Sequence, residues 1–301
     1  MRNIILISKT LKPFKKKIKI EGDKSLSIRW ALLASQALGK SKSFNLLKSE
    51  DVMNTLKCIQ KLGIKVRLLK NSCEIFGNGL NGFQYKNNLT LNAGNSGTLG
   101  RLILGLLIHS KKKIRVIGDK SLSKRDFLRV TRPLKKFGAK FKTNKGKLPI
   151  ILQGTNNPKP IRYLEDKGSA QCKSSIMLAA LNTNGKSYIK AKKSRNHTEL
   201  LFKYLKIPIK IKKKKNYDFI KIQGKKNFRS LNYSIPSDIS SSAFFIVLTA
   251  LTKSSKLEIK NVNINITRVG VLKILKKMGV RINLKNQKIY KGEKIADIII
   301  N

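Results

Sequence analysis

The 301-residue chain is 41% apolar, which suits a folded core of one or two domains and excludes a disordered polymer. No apolar run approaches the roughly 18 residues needed to cross a bilayer, and Ile4 to Ile7 is too short for the apolar region of a signal peptide. Its 66 Lys and Arg against 15 Asp and Glu give a net charge of +51, spread along the whole chain rather than gathered in one stripe.

The first clear element is the string Gly22-Asp23-Lys24-Ser25-Leu26-Ser27-Ile28-Arg29, a hydroxyl-rich start leading into an apolar helix. A short strand is expected at 43–47. An amphipathic helix follows from Leu56 to Leu62, with Gly63 as its stop and Ile64-Lys65-Val66 as a strand. The cycle restarts at Asn95-Ser96-Gly97-Thr98 and continues through a strand, Ile114 to Ile117. The opening string then recurs from Gly118 to Arg125, before helix Leu134 to Phe137, Gly138 and strand 139–141. A third start, Ser169 to Ser175, leads to strand 187–189 and a degraded helix–strand stretch over 200–211, where Pro208 stands near the place of the Gly. The fourth runs from Ser237 to Ser242, then strand 257–259, helix Leu272 to Met278, Gly279 and strand 280–282. These starts recur about every 70 residues, so the fold is read as about four copies of one unit: helix, strand, helix, further strands. Leu102 to Ile108 and Ala243 to Leu251 read as buried helices.

Hydroxyl-rich helix starts present outward backbone N–H groups backed by the helix dipole. Lys24, Arg29, Arg101, Arg125, Lys173 and Arg195 accompany them. Cations beside a helix N-terminus are unfavourable unless an anion sits between, so the starts point to a phosphate or carboxylate ligand. Cys58, Cys73 and Cys172 lack metal-ligand spacing, and only His109 and His197 accompany them, so no metal site is expected and the thiols read as reduced structural residues of a cytoplasmic protein. No Walker A loop, dinucleotide fingerprint or Gly-x-Ser-x-Gly elbow occurs. Lys, Ile and Asn dominate even in exposed filler such as Lys212 to Asn216, so the charge reads mainly as compositional drift, with weak nonspecific polyanion binding as a side effect. Lys212 to Lys215 is expected in a solvated loop. Read along the chain, the aromatics show no interleaved stacking pattern for single strands.

Five motifs, in order over nearly the whole chain, resemble the 5-enolpyruvylshikimate-3-phosphate synthase family. They are 22–29, Gly94 to Thr98 with Arg101, Ser169 to Lys173, Ser194 to Glu199, and Ile235 to Ala243. The resemblance implies an α/β fold of repeated inside-out units of the enolpyruvyl transferase type, in two domains with a substrate cleft between them. About four of six units are expected here. Residues 22–231 would form a complete three-unit domain, and 1–21 with 232–301 an incomplete second one holding one unit. The reaction implied is transfer of the enolpyruvyl group of phosphoenolpyruvate to the 5-hydroxyl of shikimate 3-phosphate, releasing phosphate. No cofactor or metal is implied, the partners are small molecules with no membrane or specific nucleic acid, and the whole enzyme is expected to be monomeric.

By the same resemblance, Lys24, Ser25, Arg29, Ser169, Gln171 and Arg195 would bind shikimate 3-phosphate. Lys24, Asn95, Gly97, Arg125 and Gln171 would bind phosphoenolpyruvate, and Gly97 implies sensitivity to glyphosate. Lys120 reads as solvated, His197 as structural, and Asp23, Asp119 and Asp238 as caps. Departures from the family pattern are Asp126 where Pro is usual, Ser237 for Gly and Cys172 for a small aliphatic residue. Family members are longer, and their D-E-x-P and K-E-x-D-R segments have no counterpart here, so the catalytic base is not assigned. Alternatives are an inactive or partner-dependent fragment, UDP-N-acetylglucosamine enolpyruvyl transferase, and a basic RNA-binding protein. An incomplete second domain would leave apolar surface open to association.

Overall fold

A computed structural model describes residues 11–301; Ile4 to Ile7 lies outside them. In chain order the elements are β1 (Lys15–Ile18), α1 (Lys24–Ala34), β2 (Leu38–Phe44), α2 (Glu50–Lys61), β3 (Lys65–Leu68), β4 (Ser72–Asn78) and β5 (Leu89–Asn92). Then come α3 (Gly97–Leu106), β6 (Ile114–Ile117), α4 (Lys120–Ser123), α5 (Leu128–Lys136), β7 (Lys140–Asn144), β8 (Lys147–Gln153) and β9 (Arg162–Glu165). They continue with α6 (Ala170–Leu181), β10 (Lys186–Lys192), α7 (His197–Tyr204), β11 (Ile209–Lys213), β12 (Tyr217–Gln223) and β13 (Tyr233–Ser234). The last are α8 (Ile239–Leu251), β14 (Lys256–Asn263), α9 (Gly270–Lys277), β15 (Ile282–Tyr290) and β16 (Glu293–Ile300).

Among the described residues, four sheets of four strands share one plan: β13-β2-β4-β3, β5-β6-β8-β7, β9-β10-β12-β11 and β1-β14-β16-β15. In each, the first strand runs parallel to the second, and the remaining pairings are antiparallel. The repeating unit is therefore strand, helix, strand, helix, strand, strand, one strand longer than the sequence expectation. β5 and β9 stand directly before their helices. For α1 the parallel strand is β13, more than 180 residues downstream, and for α8 it is β1 at the other end of the chain. The strand expected at 43–47 is displaced to Leu38–Phe44, because Asn45 turns with a positive φ of 55°.

The described residues divide into two compact units, 22–235 and 236–301 with residues 11–21, so the division falls at Ile235 rather than at 231. In the larger unit α1, α3 and α6 are buried on nearly every side. Small residues permit this: a Cβ on Gly105 of α3 would lie 2.2 Å from the Ser175 carbonyl oxygen of α6. Ser175 Oγ donates to the Arg101 carbonyl at 2.9 Å, and buried Trp30 donates to the Leu231 carbonyl at 2.9 Å. Helix α2 stops at Gly63, in the left-handed region at φ 84°. In the degraded third copy Lys206 takes that place at φ 54°, with Pro208 beyond it. The basic run at 212–215 is partly strand: Lys212 and Lys213 end β11, and only Lys214 and Lys215 lie in the turn.

The smaller unit packs its core from Ile246, Leu257, Ile259, Leu272 and Ile298. Helix α8 buries Ile239, Ser242, Ile246 and Thr249 but leaves Phe244 and Leu251 each 80% exposed, with Phe245, Val247 and Leu248 also open. An apolar face of this kind favours association, opposed by the net charge. Self-association should therefore rise with protein concentration and with salt, which screens that charge. Sedimentation should show Phe244→Ser with Leu251→Ser shifted toward monomer; a parent that stays monomeric in high salt would contradict this. No helix among the described residues is long and apolar enough to cross a membrane.

Candidate active site

Three helix starts of the larger unit are built alike. Asp23 accepts from Leu26 N at 2.9 Å, Ser96 from Leu99 N at 3.2 Å, and Ser169 from Cys172 N at 3.2 Å. Each cap satisfies one N–H and leaves others in the first turn pointing outward. The cap of α4, Asp119, accepts from Leu122 N at 2.6 Å and also from Asn95 Nδ2 at 2.7 Å. The second copy of the repeated string is thereby tied to the start of α3.

Asn95, Gly97, Arg101, Arg125 and Gln171 come together at that start. Asn95 Oδ1 accepts from Arg125 Nη2 at 2.9 Å, and Gln171 Oε1 accepts from Arg101 Nη1 at 2.5 Å while Gln171 Nε2 donates to Thr98 Oγ1 at 3.1 Å. Arg101 also donates to the Asp126 carbonyl at 3.1 Å and lies 5.0 Å from the Phe127 ring centre. A Cβ on Gly97 would meet Arg101 Nη1 at 3.0 Å and Arg125 Nη1 at 3.3 Å, so both guanidinium groups lean over a position that only Gly leaves open. Arg101 is 5% exposed and its buried Nε has no hydrogen-bond partner. Burial, then the like charges of Arg129 and Arg125, push its pKa down to about 10, with Asp126 opposing the shift. Two cations crowded against the positive end of a helix concentrate positive potential at that point.

The first-copy residues form a second group. Lys24 is half-exposed and pairs with Asp51 of α2 at 2.9 Å. Arg29 is buried: its Nε donates to Thr198 Oγ1 at 2.9 Å, Nη1 to the Ser25 carbonyl at 3.0 Å and Nη2 to Ser174 Oγ at 3.2 Å. It thus ties α1 to α6 and α7. Ser25, Ser169 and Gln171 are half-buried in or beside the first turns of α1 and α6, and Arg195 is exposed in the turn before α7. Lys173 departs from the expectation that it faces an anion. It is fully buried, 2.6 Å from the Glu199 carboxylate, so its charge is already met inside the protein.

Asp126 accepts from Leu128 N at 2.8 Å and starts α5. Lys120 is exposed and His197 is buried. Asp238 accepts from Ser240 N at 2.7 Å and pairs with Arg268 at 3.0 Å. The three thiols are free and buried, and burial pushes Cys58 up to about 11 and Cys73 and Cys172 up to about 12. Among the described residues no group of three or more His, Cys, Asp or Glu could hold a metal ion. Sequence reasoning missed Thr198 and Ser174 as the hydroxyls that hold Arg29. It also missed Arg129, in the first turn of α5, as a contributor to the positive field.

Residues 8–301 match the family model described as EPSP synthase (3-phosphoshikimate 1-carboxyvinyltransferase). A 3-phosphoshikimate 1-carboxyvinyltransferase of Vesicomyosocius okutanii is 41% identical over 284 residues, covering 94% of this chain and 64% of the relative. One from Thermoanaerobacter sp. is 38% identical over 286 residues, with 94% and 66% covered. The solved structure of EPSP synthase from Acinetobacter baumannii superposes with a TM-score of 0.87 at 36% identity, covering 96% of this chain and 65% of that one. The chain spans 64% of the length of the first curated relatives it matches.

Proposed function

Because this chain belongs to the EPSP synthase family, we propose that it serves enolpyruvyl transfer from phosphoenolpyruvate to the 5-hydroxyl of shikimate 3-phosphate, with release of phosphate. That reaction is a transferase step toward the aromatic amino acids. The observation that carries the reading is the convergence of Arg101, Arg125, Gly97 and Gln171 at the start of α3. Such a cluster suits a small ligand bearing a phosphate and a carboxylate, and paired guanidinium groups recognise either oxyanion through parallel hydrogen bonds. As the hydroxyl adds to the enol carbon, charge builds on the phosphate that will leave, and Arg101, Arg125 and Lys24 would stabilise it. Ser25, Arg29, Ser169 and Arg195 would take shikimate 3-phosphate, with Gln171 between the two ligands.

The reaction also needs a base for the hydroxyl and an acid for the methylene carbon. Of the carboxylates beside these residues, Asp51 pairs with Lys24, Asp119 accepts from Asn95 and Leu122 N, Asp126 from Leu128 N, and Glu165 from Lys167 N and Ser169 N. The contribution these residues are best suited to is binding and charge stabilisation. Small-molecule substrates in the cytoplasm suit the free buried thiols. Calorimetry tests the assignment: shikimate 3-phosphate should bind saturably, unphosphorylated shikimate at least about tenfold more weakly because one charge-assisted contact is lost. UDP-N-acetylglucosamine should give no heat. Absence of heat with shikimate 3-phosphate at millimolar concentration would refute the assignment.

A further inference from the structure

The sheet of β9, β10, β12 and β11 turns one face to solvent, and strand alternation decides what that face carries. Register aligns two rows across it. In the first, Tyr188 lies between Arg162 and Lys221, and Lys221 faces Lys210. In the second, Lys190 lies between Leu164 and Phe219, and Phe219 faces Lys212. Tyr188 and Phe219 are each 37% exposed, and Leu164 is 51% exposed. Cations flank both rings: Arg162 is 5.0 Å and Lys221 5.7 Å from the Tyr188 ring centre, and Lys190 is 5.8 Å from that of Phe219.

The two carboxylates of these strands, Glu165 and Asp218, belong to the opposite face and are buried. Lys210 and Lys221 thus stand directly opposed with no acid to separate them, an unfavourable like-charge pair. The sheet of β2, β3 and β4 differs, because Glu74 sits 3.6 Å from Lys40 and 4.0 Å from Lys42. Drift toward Lys explains the number of cations. It does not explain two half-exposed rings placed diagonally among cations on an acid-free face, above a groove of about 630 Å³.

We propose that this face binds single-stranded nucleic acid. Two bases stack on Tyr188 and Phe219, and the phosphates lie against Lys190, Lys210, Lys212 and Lys221. Diagonal neighbours on adjacent strands are about 7–8 Å apart, a step that a flexible single strand spans. Duplex bases are already stacked and unavailable to flat rings on a sheet, and an anionic membrane offers charge but no bases. The pattern is invisible along the chain because β9, β10 and β12 meet only in the folded sheet.

The test is fluorescence anisotropy with labelled uridine and thymidine decamers, a DNA duplex and anionic vesicles, each over a range of salt. Both single strands should bind in preference to duplex, and the ratio between them tells RNA from DNA. Tyr188→Ala with Phe219→Ala should weaken single-strand binding by about tenfold or more without changing the salt slope. Lys190→Gln with Lys212→Gln should lower that slope by about 1.4, at roughly 0.7 per phosphate contact. Lys140→Gln with Lys142→Gln, exposed on β7 of another sheet, should leave stacking affinity unchanged, and unaltered shikimate 3-phosphate binding by the aromatic variant shows it folded. The proposal is overturned if the aromatic variant binds like the parent, or if duplex or vesicles bind as tightly as single strands.

Discussion

Lys173→Met should destabilise the larger unit by about 3–5 kcal/mol, because it strands a buried Glu199 carboxylate. The Lys173 side chain is fully buried and that of Glu199 is 3% exposed, with 2.6 Å between Nζ and Oε1. Neither carboxylate oxygen of Glu199 has an aligned hydrogen-bond donor, so the ammonium is its main compensation. For a domain of this size the loss corresponds to a melting-point drop of about 6–20 °C. The companion variant, Lys173→Met with Glu199→Leu, removes both charges and fills the space with apolar atoms, so it should recover most of the loss. Thermal melts of the parent, both single variants and the double variant complete the cycle. A single variant that melts with the parent would show that the pair is not held as described.

The second large effect concerns the anion site. Arg125→Ala or Arg101→Met should weaken phosphoenolpyruvate binding by about 10- to 150-fold, the range for losing one charge-assisted contact. Gly97→Ala should weaken it with both arginines still present, since the added methyl pushes against Arg101 Nη1 and Arg125 Nη1. The affinity should also depend on pH in one direction. Burial and like charge favour the neutral form of Arg101, and holding it charged costs stability below its pKa of about 10; that cost is relieved as pH rises through 10. A bound anion favours the charged form. Binding should therefore be full up to about pH 9 and decline as pH climbs through about 10. Calorimetry across that range checks it, and affinity that rises through pH 10 would contradict the assignment of Arg101.

The helix starts and stops were legible because each rests on a local device: a hydroxyl or Asp cap, an apolar run, a left-handed stop. The repeated string shows where locality ends. Asp23 and Asp119 cap in the same way, yet α1 continues for 11 residues and α4 for four. After Ser27 the chain runs Ile28 to Ala34, all buried, whereas after Ser123 come Lys, Arg and Asp126, which starts a new helix. The first strand of each unit was missed because β5 and β9 are four residues long and β13 two, too short for period-2 alternation to show. The partners of β13 and β1, which are β2 and β14, lie across the chain.

At the site, the charged helix starts point to an anion, and Arg101 and Arg125 meet over Gly97 at the start of α3. What a linear reading could not see was which way a helical side chain faces. Lys173 follows Gln171 by two residues and so lies on a different side of α6, turned into the core toward Glu199. The aromatic face of the β9–β12 sheet was hidden for a related reason: its residues are adjacent only through strand register.

The central claim is that the start of α3 receives the phosphoenolpyruvate anion. A crystal structure of the chain soaked with phosphoenolpyruvate and shikimate 3-phosphate tests it most directly. The account predicts phosphoenolpyruvate oxygens on the guanidinium groups of Arg101 and Arg125, against Gly97. Ligand density elsewhere, with those two groups still turned to Gln171 and Asn95 alone, would contradict it.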